Sequence, residues 1–242
     1  MHILLTRALS QVQPLQNLMS EQGYQPVLFP SLAINPLHNT PLKTRYDALI
    51  FISANAVEYG LTVLKTLNCQ TTQIFAVGAA TAKKLEQYSV KVTAFPSQKA
   101  SSEALLAMDE IQALHNCSIL IFRGEGGRET LKEGLKQNNS VEYIEVYQRM
   151  PCAITAEHRN SLSVFLQNDK GIITATSVEN LTALLSMIKQ IDAKTHNAIT
   201  QYPLVVLSER IKTVAHSAGF KQIEIATETN DKGLLNAIQT IS

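Results

Sequence analysis

The stretch Asp47-Ala-Leu-Ile-Phe-Ile-Ser53-Ala-Asn55-Ala-Val57 constrains the fold of this chain more than any other. Ala48 to Ile52 are apolar without alternation, the pattern of a strand covered on both faces in a parallel sheet. Ser53 and Asn55 then mark a turn, because short polar side chains accept from the free N–H groups of a starting helix. Val57, Leu61 and Leu64 follow at helical spacing. The unit therefore reads strand, polar turn, amphipathic helix. It recurs at Gly171-Ile-Ile-Thr-Ala-Thr176-Ser177-Val-Glu-Asn180, with Leu181, Leu184, Leu185 and Ile188 behind it. Ser53 and Ser177 hold equivalent places, so the chain is built twice from one plan.

Other echoes support that plan. Ile3-Leu4-Leu5-Thr6-Arg7 matches Ile119-Leu120-Ile121-Phe122-Arg123, and Gly78 and Ser208 each open a helix after a buried strand. Further apolar runs lie at 26–29, 73–77, 90–95, 141–146, 203–207 and 223–226. Strands alternating with helices predict parallel sheets, and about ten strands make two five-stranded α/β lobes. Ser10 with Gln13 resembles a capping box, and Gly23 is placed to end the helix that follows. Pro30, Pro36 and Pro41 reduce 30–41 to a linker or an edge strand. Segment 152–170 reads as a helix without evident chemistry. Ligands of open parallel sheets gather at the carboxyl ends of the strands, where the polar turns fall. A bilobed α/β protein with its site in a cleft is the physical expectation.

The bulk numbers remove several classes. A length of 242 residues fits one large domain or two small ones, and the repeat favours two. A net charge of +1 supplies no global field for nucleic acid or an anionic membrane. The first residues lack a basic stretch followed by a long apolar one, and no apolar run approaches the ~20 residues of a membrane span. Cys69, Cys117 and Cys152 are odd in number and in no paired motif, which points to structural thiols in a reducing, cytoplasmic compartment.

Candidate chemistry is concentrated at the strand ends. Arg123-Gly124-Glu125-Gly126-Gly127-Arg128 follows a strand and opens a helix, so it is either a tight turn or a cradle for an anion. No Gly-Lys-Ser/Thr follows it, and the last glycine of the dinucleotide fingerprint is missing. Arg7 at the equivalent place suits carboxylate recognition or a surface salt bridge. Ser53, Asn55, Thr81, Ser102, Ser177 and Ser208 each read singly as helix caps. Together they put neutral donors on one rim, as a polar ligand cleft requires. The histidines (2, 38, 115, 158, 196, 216) form no metal spacing and read as surface residues. Tyr147, taken alone, suits packing on a strand. An enzyme, a two-lobed binding protein and a transferase for a carboxylated or phosphorylated small molecule all fit these residues.

Leu5-Thr6-Arg7, Phe51-Ile-Ser-Ala-Asn-Ala-Val57, Val77-Gly78-Ala79-Ala80-Thr81-Ala82, Arg123 to Arg128, Val146-Tyr147-Gln148-Arg149, Ala175-Thr176-Ser177 and Ser208-Glu209-Arg210 stand in one order along nearly the whole chain. In that order and spacing the chain resembles the uroporphyrinogen-III synthase family. Ala8 departs from the proline that family members often carry after the first arginine, a local turn change. The resemblance implies two flavodoxin-like lobes with parallel sheets, joined by two strands, with the ligand cleft between the lobes. One lobe would be 1–32 plus 151–242, the other 38–145, with 33–37 and 146–150 as connecting strands. The repeats alone would suggest a plain split near residue 115.

The implied reaction closes linear hydroxymethylbilane to uroporphyrinogen III. A terminal hydroxyl leaves as water, and the last pyrrole ring is inverted through a spiro intermediate. The resemblance makes Tyr147 the candidate catalytic residue. Arg7, Ser53, Asn55, Gly78, Thr81, Ser102, Arg123, Gly124, Arg128, Thr176, Ser177 and Ser208 are the expected substrate-binding positions. No metal and no cofactor is expected, no nucleic-acid or membrane partner, and a monomer.

Overall fold

The computed structural model describes residues 1–168 and 170–242. Along the chain run β1 (His2–Leu5), α1 (Leu9–Glu21), β2 (Gln25–Leu28), β3 (Leu32–Pro36), β4 (Ala48–Phe51), α2 (Ala54–Leu64), β5 (Gln73–Ala76) and α3 (Ala79–Gln87). Then come α4 (Ser102–Leu106), α5 (Asp109–Gln112), β6 (Ser118–Gly124), α6 (Thr130–Leu135), β7 (Ser140–Pro151), α7 (Ala156–Leu166) and β8 (Gly171–Ala175). The chain ends with α8 (Val178–Ile191), α9 (Ala193–Ile199), β9 (Leu204–Val206), α10 (Glu209–Ser217), β10 (Ile223–Ile225) and α11 (Asp231–Ile241). No helix among the described residues is long and apolar enough to cross a membrane.

Two compact units result: Met1–Ile34 with Met150–Ser242, and Asn35–Arg149. The chain does not divide near residue 115. The first unit's sheet has the order β10-β9-β8-β1-β2, and the second's, read from its far edge, is β5-β4-β6-β7-β3. The pairs β1–β2, β1–β8, β8–β9, β9–β10, β4–β5, β4–β6 and β6–β7 are all parallel. In each sheet the strand with an arginine at or just past its end, β6 with Arg123 or β1 with Arg7, lies beside the strand followed by a capping serine, β4 or β8. The echoes in the sequence are thus echoes in topology.

Burial on both sheet faces explains the unbroken apolar runs. In the first unit Leu4, Ile173 and Val206 pack against Leu162, Phe165 and Leu184 on one face. Ile3, Leu5, Ile172 and Val205 pack against Leu15, Met19 and Leu234 on the other. In the second unit Ala48, Ile50, Ile119 and Ile121 meet Leu105, Leu131 and Leu135.

Three expectations change. Val90 to Phe95 forms only an isolated bridge, Ala94 to Phe75, where β10 completes the other sheet. The hydroxyl of Thr93 accepts from Ile74 N at 2.9 Å, taking the donor a ladder would use, and Pro96 stops extension. Ser10 is inside α1, whose cap is Ala8 with no side-chain bond. The other end is as read: Gly23 (φ 79°) lets Tyr24 N reach Met19 O at 3.1 Å. His158 is buried rather than on the surface. Its Nδ1 accepts from Thr155 N at 3.2 Å, which leaves Nε2–H to donate to Pro30 O at 3.0 Å. β3 is the edge strand that the prolines around it predict, beside β7, with Leu37 N donating to Val146 O at 2.9 Å.

Candidate active site

In the second unit the carboxyl ends of β4, β6 and β7 bring Ser53, Gly124 and Tyr147 together. Ser53 caps α2, its Oγ accepting from Ala56 N at 3.0 Å. The same oxygen lies 3.3 Å from the phenol oxygen of Tyr147. Tyr147 sits opposite Gly124 in the β6–β7 register, beside an irregularity of that ladder. A Cβ on Gly124 would stand 2.6 Å from Tyr147 Cζ, so the phenol ring occupies the space a side chain would take. The glycine is required here for close approach, not for its φ. Tyr59 lies across the tyrosine with ring centroids 5.8 Å apart, and only 4% of Tyr147 is exposed. Arg149, two residues on and hence on the same strand face, donates from Nη2 to the phenol oxygen at 3.4 Å.

The glycine-rich loop behaves differently from an anion cradle. Gly126 and Gly127 take φ of 69° and 101°, as a tight turn demands. The N–H of Gly126 donates to the Glu145 carboxylate at 3.1 Å, and that of Glu125 donates to Tyr147 O at 2.8 Å. The anion held by the loop is therefore the protein's own. Arg123 is buried, 2.9 Å from the Glu129 carboxylate, 3.9 Å from that of Glu145, and 4.2 Å over the Tyr143 ring. Its charge braces the loop. Burial pushes the Tyr143 phenol above its ordinary range.

Elsewhere on this rim Gly78 caps α3 with extended backbone, and a Cβ there would fall 2.4 Å from Ala100 Cβ. Thr81 is a buried residue inside α3 rather than a cap, and Asn55 is likewise inside α2. The cap of α4 is Ser101, accepting from Ala104 N at 3.1 Å, with Ser102 as first helical residue. Arg128, 66% exposed, pairs with Glu103 at 2.7 Å. Hydrogen bonds from its own backbone N–H and from Ser101 hold the Glu103 carboxyl below its usual range, with Arg128 adding to them.

In the first unit Ser177 caps α8, accepting from Asn180 N at 3.0 Å. Asn180, missed in the sequence, ties this rim together. Its Nδ2 donates to Thr6 O and to Ser31 Oγ, each at 2.7 Å. Its Oδ1 accepts from Thr6 Oγ1 at 2.8 Å and from Thr176 N at 3.1 Å. Arg7 is partly buried against Asp231, in the first turn of α11, at 2.7 Å. Ser208 stands at the N-cap of α10 with no side-chain capping bond. The sequence signals were a polar residue three after a cap (Asn180), a Ser-Ser pair at a helix start (Ser101), and the i, i+2 spacing of Tyr147 and Arg149. Among the described residues no group of His, Cys, Asp and Glu is placed to hold a metal ion.

Parallel sheets with polar strand ends and a nearly buried phenol among them define a two-unit α/β protein. The family model described as "Uroporphyrinogen-III synthase HemD" matches residues 13–236, and the chain belongs to that family. It is 28% identical to the uroporphyrinogen-III synthase of Escherichia coli K12 over 99% of this chain and 100% of that one. Against the uroporphyrinogen-III synthase of Salmonella typhimurium LT2 the identity is 32%, over 68% and 66% of the two chains. The crystal structure of uroporphyrinogen-III synthetase from Helicobacter pylori 26695 superposes with a TM-score of 0.68 at 16% identity, covering 100% of this chain and 99% of that one. A mutant uroporphyrinogen III synthase from Thermus thermophilus gives 0.57 at 15% identity, over 99% and 97%. These two likenesses speak for the fold.

Proposed function

We propose that this protein is a uroporphyrinogen-III synthase, a cyclising hydro-lyase of porphyrin and heme biosynthesis that acts on hydroxymethylbilane. The reading rests on family membership and on one observation: a phenol held at the strand ends between Ser53 and Arg149. The terminal C–O bond breaks with its electron pair on oxygen, and Tyr147 supplies the proton with which that oxygen departs as water. Pyrrole nitrogen density fills the vacated carbon as an azafulvene cation, which the last pyrrole attacks through its already substituted α-carbon to form the spiro intermediate. The bond from that carbon to its original methylene bridge then breaks, leaving a second azafulvene cation that the ring's free α-carbon captures. The proton released when the rearranged ring regains aromaticity restores the phenol. The Tyr147 ring face also shields the cation.

Selectivity against unaided closure without inversion is a difference between two barriers, and a thousandfold preference needs only ~4 kcal/mol. Positioning of acetate and propionate groups supplies energy on that scale. Arg128, Arg7, Ser53, Ser177, Thr176 and Ser208, with the N–H groups at Gly78, Asn55 and Ser102, are the proposed substrate contacts, whereas the Thr81 N–H already donates to Gly78 O at 3.1 Å. Arg123 and Gly124 serve indirectly, one bracing the loop and one making room for Tyr147. We assign no cofactor, a monomer and a cytoplasmic location.

The test is incubation with freshly generated hydroxymethylbilane, followed by resolution of the porphyrin isomers. Isomer III is expected. Isomer I alone would leave a binding protein in its place.

A further inference from the structure

Arg149 carries information about the direction of a proton. A guanidinium only donates, so its bond to the phenol oxygen (3.4 Å) makes Tyr147 an acceptor on that side. The single phenol proton must then be donated elsewhere. At rest its neighbour is Ser53 Oγ, 3.3 Å away. That oxygen already accepts from Ala56 N at 3.0 Å, and accepting from Tyr147 as well leaves Ser53 only its own proton to give. Accepting from a guanidinium polarises the phenol O–H, so Arg149 favours the order Arg149 to Tyr147 to Ser53 over its reverse. Without Arg149 neither hydroxyl is preferred as the donor across that gap.

We propose that Arg149 is a positioning residue for the cyclisation, orienting the Tyr147 proton toward the departing hydroxyl and holding the phenolate left behind. The inference rests on the role given to Tyr147 above. When the C–O bond breaks and the phenol proton leaves with the oxygen, negative charge develops on Tyr147 Oη, within reach of a fixed cation. The guanidinium carbon also lies 5.4 Å from the centre of the Tyr147 ring, so the contact spans both oxygen and π face. Arg149 is exposed and outside the cores of either sheet, so its removal opens no core cavity.

The experiment is a double-mutant cycle on the full chain, read as kcat and KM for isomer III formation. Arg149→Met is expected to lower kcat about tenfold with KM little changed, the loss for one charge-assisted hydrogen bond. In a Tyr147→Phe background the same substitution should cost nothing further, because its effect runs through the phenol. Arg149→Lys should recover part of the rate. An equal loss in both backgrounds, or a loss confined to KM, would mean that Arg149 acts on the substrate or the fold and would overturn the proposal. A readout free of activity is the Cζ chemical shift of Tyr147 in ¹³C-tyrosine-labelled protein, assigned with Tyr147→Phe. It should move in Arg149→Met, and an unmoved signal sinks the contact whatever the kinetics. If Tyr147→Phe itself is fully active while the Cζ signal moves, the contact stands and the acid role of Tyr147 fails instead.

Discussion

The two units share one strand plan and finish it with different chemistry. At the heart of the first, Thr6, Ser31, Thr174 and Asn180 are buried and joined to one another and to the strand backbone by hydrogen bonds. At the equivalent place in the second, Phe51 stacks on Phe122 with ring centroids 4.2 Å apart, and Gly60 leaves room for the Phe122 ring. Asn180 faces strand ends in one unit, whereas the residue three after the other cap is Ala56. A polar network fixes turns by satisfying them, but it spends its donors internally. An aromatic core fixes them by shape, which leaves the Ser53 and Tyr147 hydroxyls to each other and to a ligand. On the role proposed for Tyr147, the second unit supplies the proton donor and the first a rigid rim.

The largest expected effects break each core by its own weakness. Phe122→Ala should cost about 3–5 kcal/mol by opening a cavity beneath β6 and α2. Asn180→Leu should cost about 1–3 kcal/mol, because the Thr176 N–H loses its partner, while Thr6 O keeps the Ser31 N–H and the Ser31 hydroxyl keeps Asn180 O. Hydrogen exchange at the strand amides of each unit separates the two. A loss for Asn180→Leu below about 1 kcal/mol would mean that water replaces the amide, and the contrast between cores would fall.

Next in size is Tyr147→Phe, which keeps the ring and removes the donor. General acid catalysis is worth about 100-fold or more, so kcat for isomer III should drop by that factor with the fold intact. Tyr147→Ala removes the ring face too and should be worse. If Phe keeps the rate and only Ala loses it, cation shielding survives and proton donation does not. No aliphatic hydroxyl of either rim should approach this loss. In particular Ser53→Ala, Thr81→Ala and Ser177→Ala should each cost about tenfold or less, or ~1.4 kcal/mol. A thousandfold loss at Ser177 would place chemistry in the wrong unit.

These contrasts show how far the sequence could be read. Strands buried on both faces write themselves as unbroken apolar runs, so both sheets and the pairing of their echoes were legible. Val90 to Phe95 shows the limit: the run is apolar enough, yet the hydroxyl of Thr93 and the ring of Pro96 decide its fate. Caps could be read only in part: Ser53 and Ser177 are caps, Ser102 yields to Ser101, Ser10 lies two residues past the cap at Ala8, and Thr81 three past Gly78. What escaped are partners far apart in the chain. Thr6 and Asn180 lie 174 positions apart, and no local spacing encodes their contact. Arg123 looked like a ligand arginine because its carboxylates, Glu129 and Glu145, are brought to it only by the fold. Tyr147 came from family resemblance, its strand position alone being silent.

A pH titration distinguishes the units without reference to the site. Tyr46, just ahead of β4, donates to the Glu142 carboxylate, and burial followed by that bond pushes its phenol up to about 12. Lys170 holds the place before β8 that corresponds to Tyr46. The folded value lies above the ordinary 10.0, so the contribution is complete below pH 10 and is lost as pH rises toward 12. The second unit should then loosen in that window, and Tyr46→Phe should flatten its pH dependence there while leaving the first unit's unchanged. An identical alkaline slope in wild type and variant would remove Tyr46 from the account.

The smallest effects test whether the serines of the two rims are caps at all. Ser101→Ala should cost ~1 kcal/mol, because its Oγ satisfies the N–H of Ala104, which otherwise has no helical partner. Ser102→Ala, one residue on and already helical, should fall within about 0.5 kcal/mol of wild type. Ser208→Ala in the first unit should be equally quiet in stability, since its hydroxyl makes no capping bond despite its cap position. That idle hydroxyl is the sharper case. With no structural task in its helix, any rate loss on Ser208→Ala reports directly on a ligand contact, uncontaminated by a change in fold. Thermal unfolding and isomer III rates on the same three variants decide it: a stability loss at Ser208 equal to that at Ser101 would make it an ordinary cap. A rate loss of severalfold at unchanged stability would make it a serine of the first unit kept for the substrate alone.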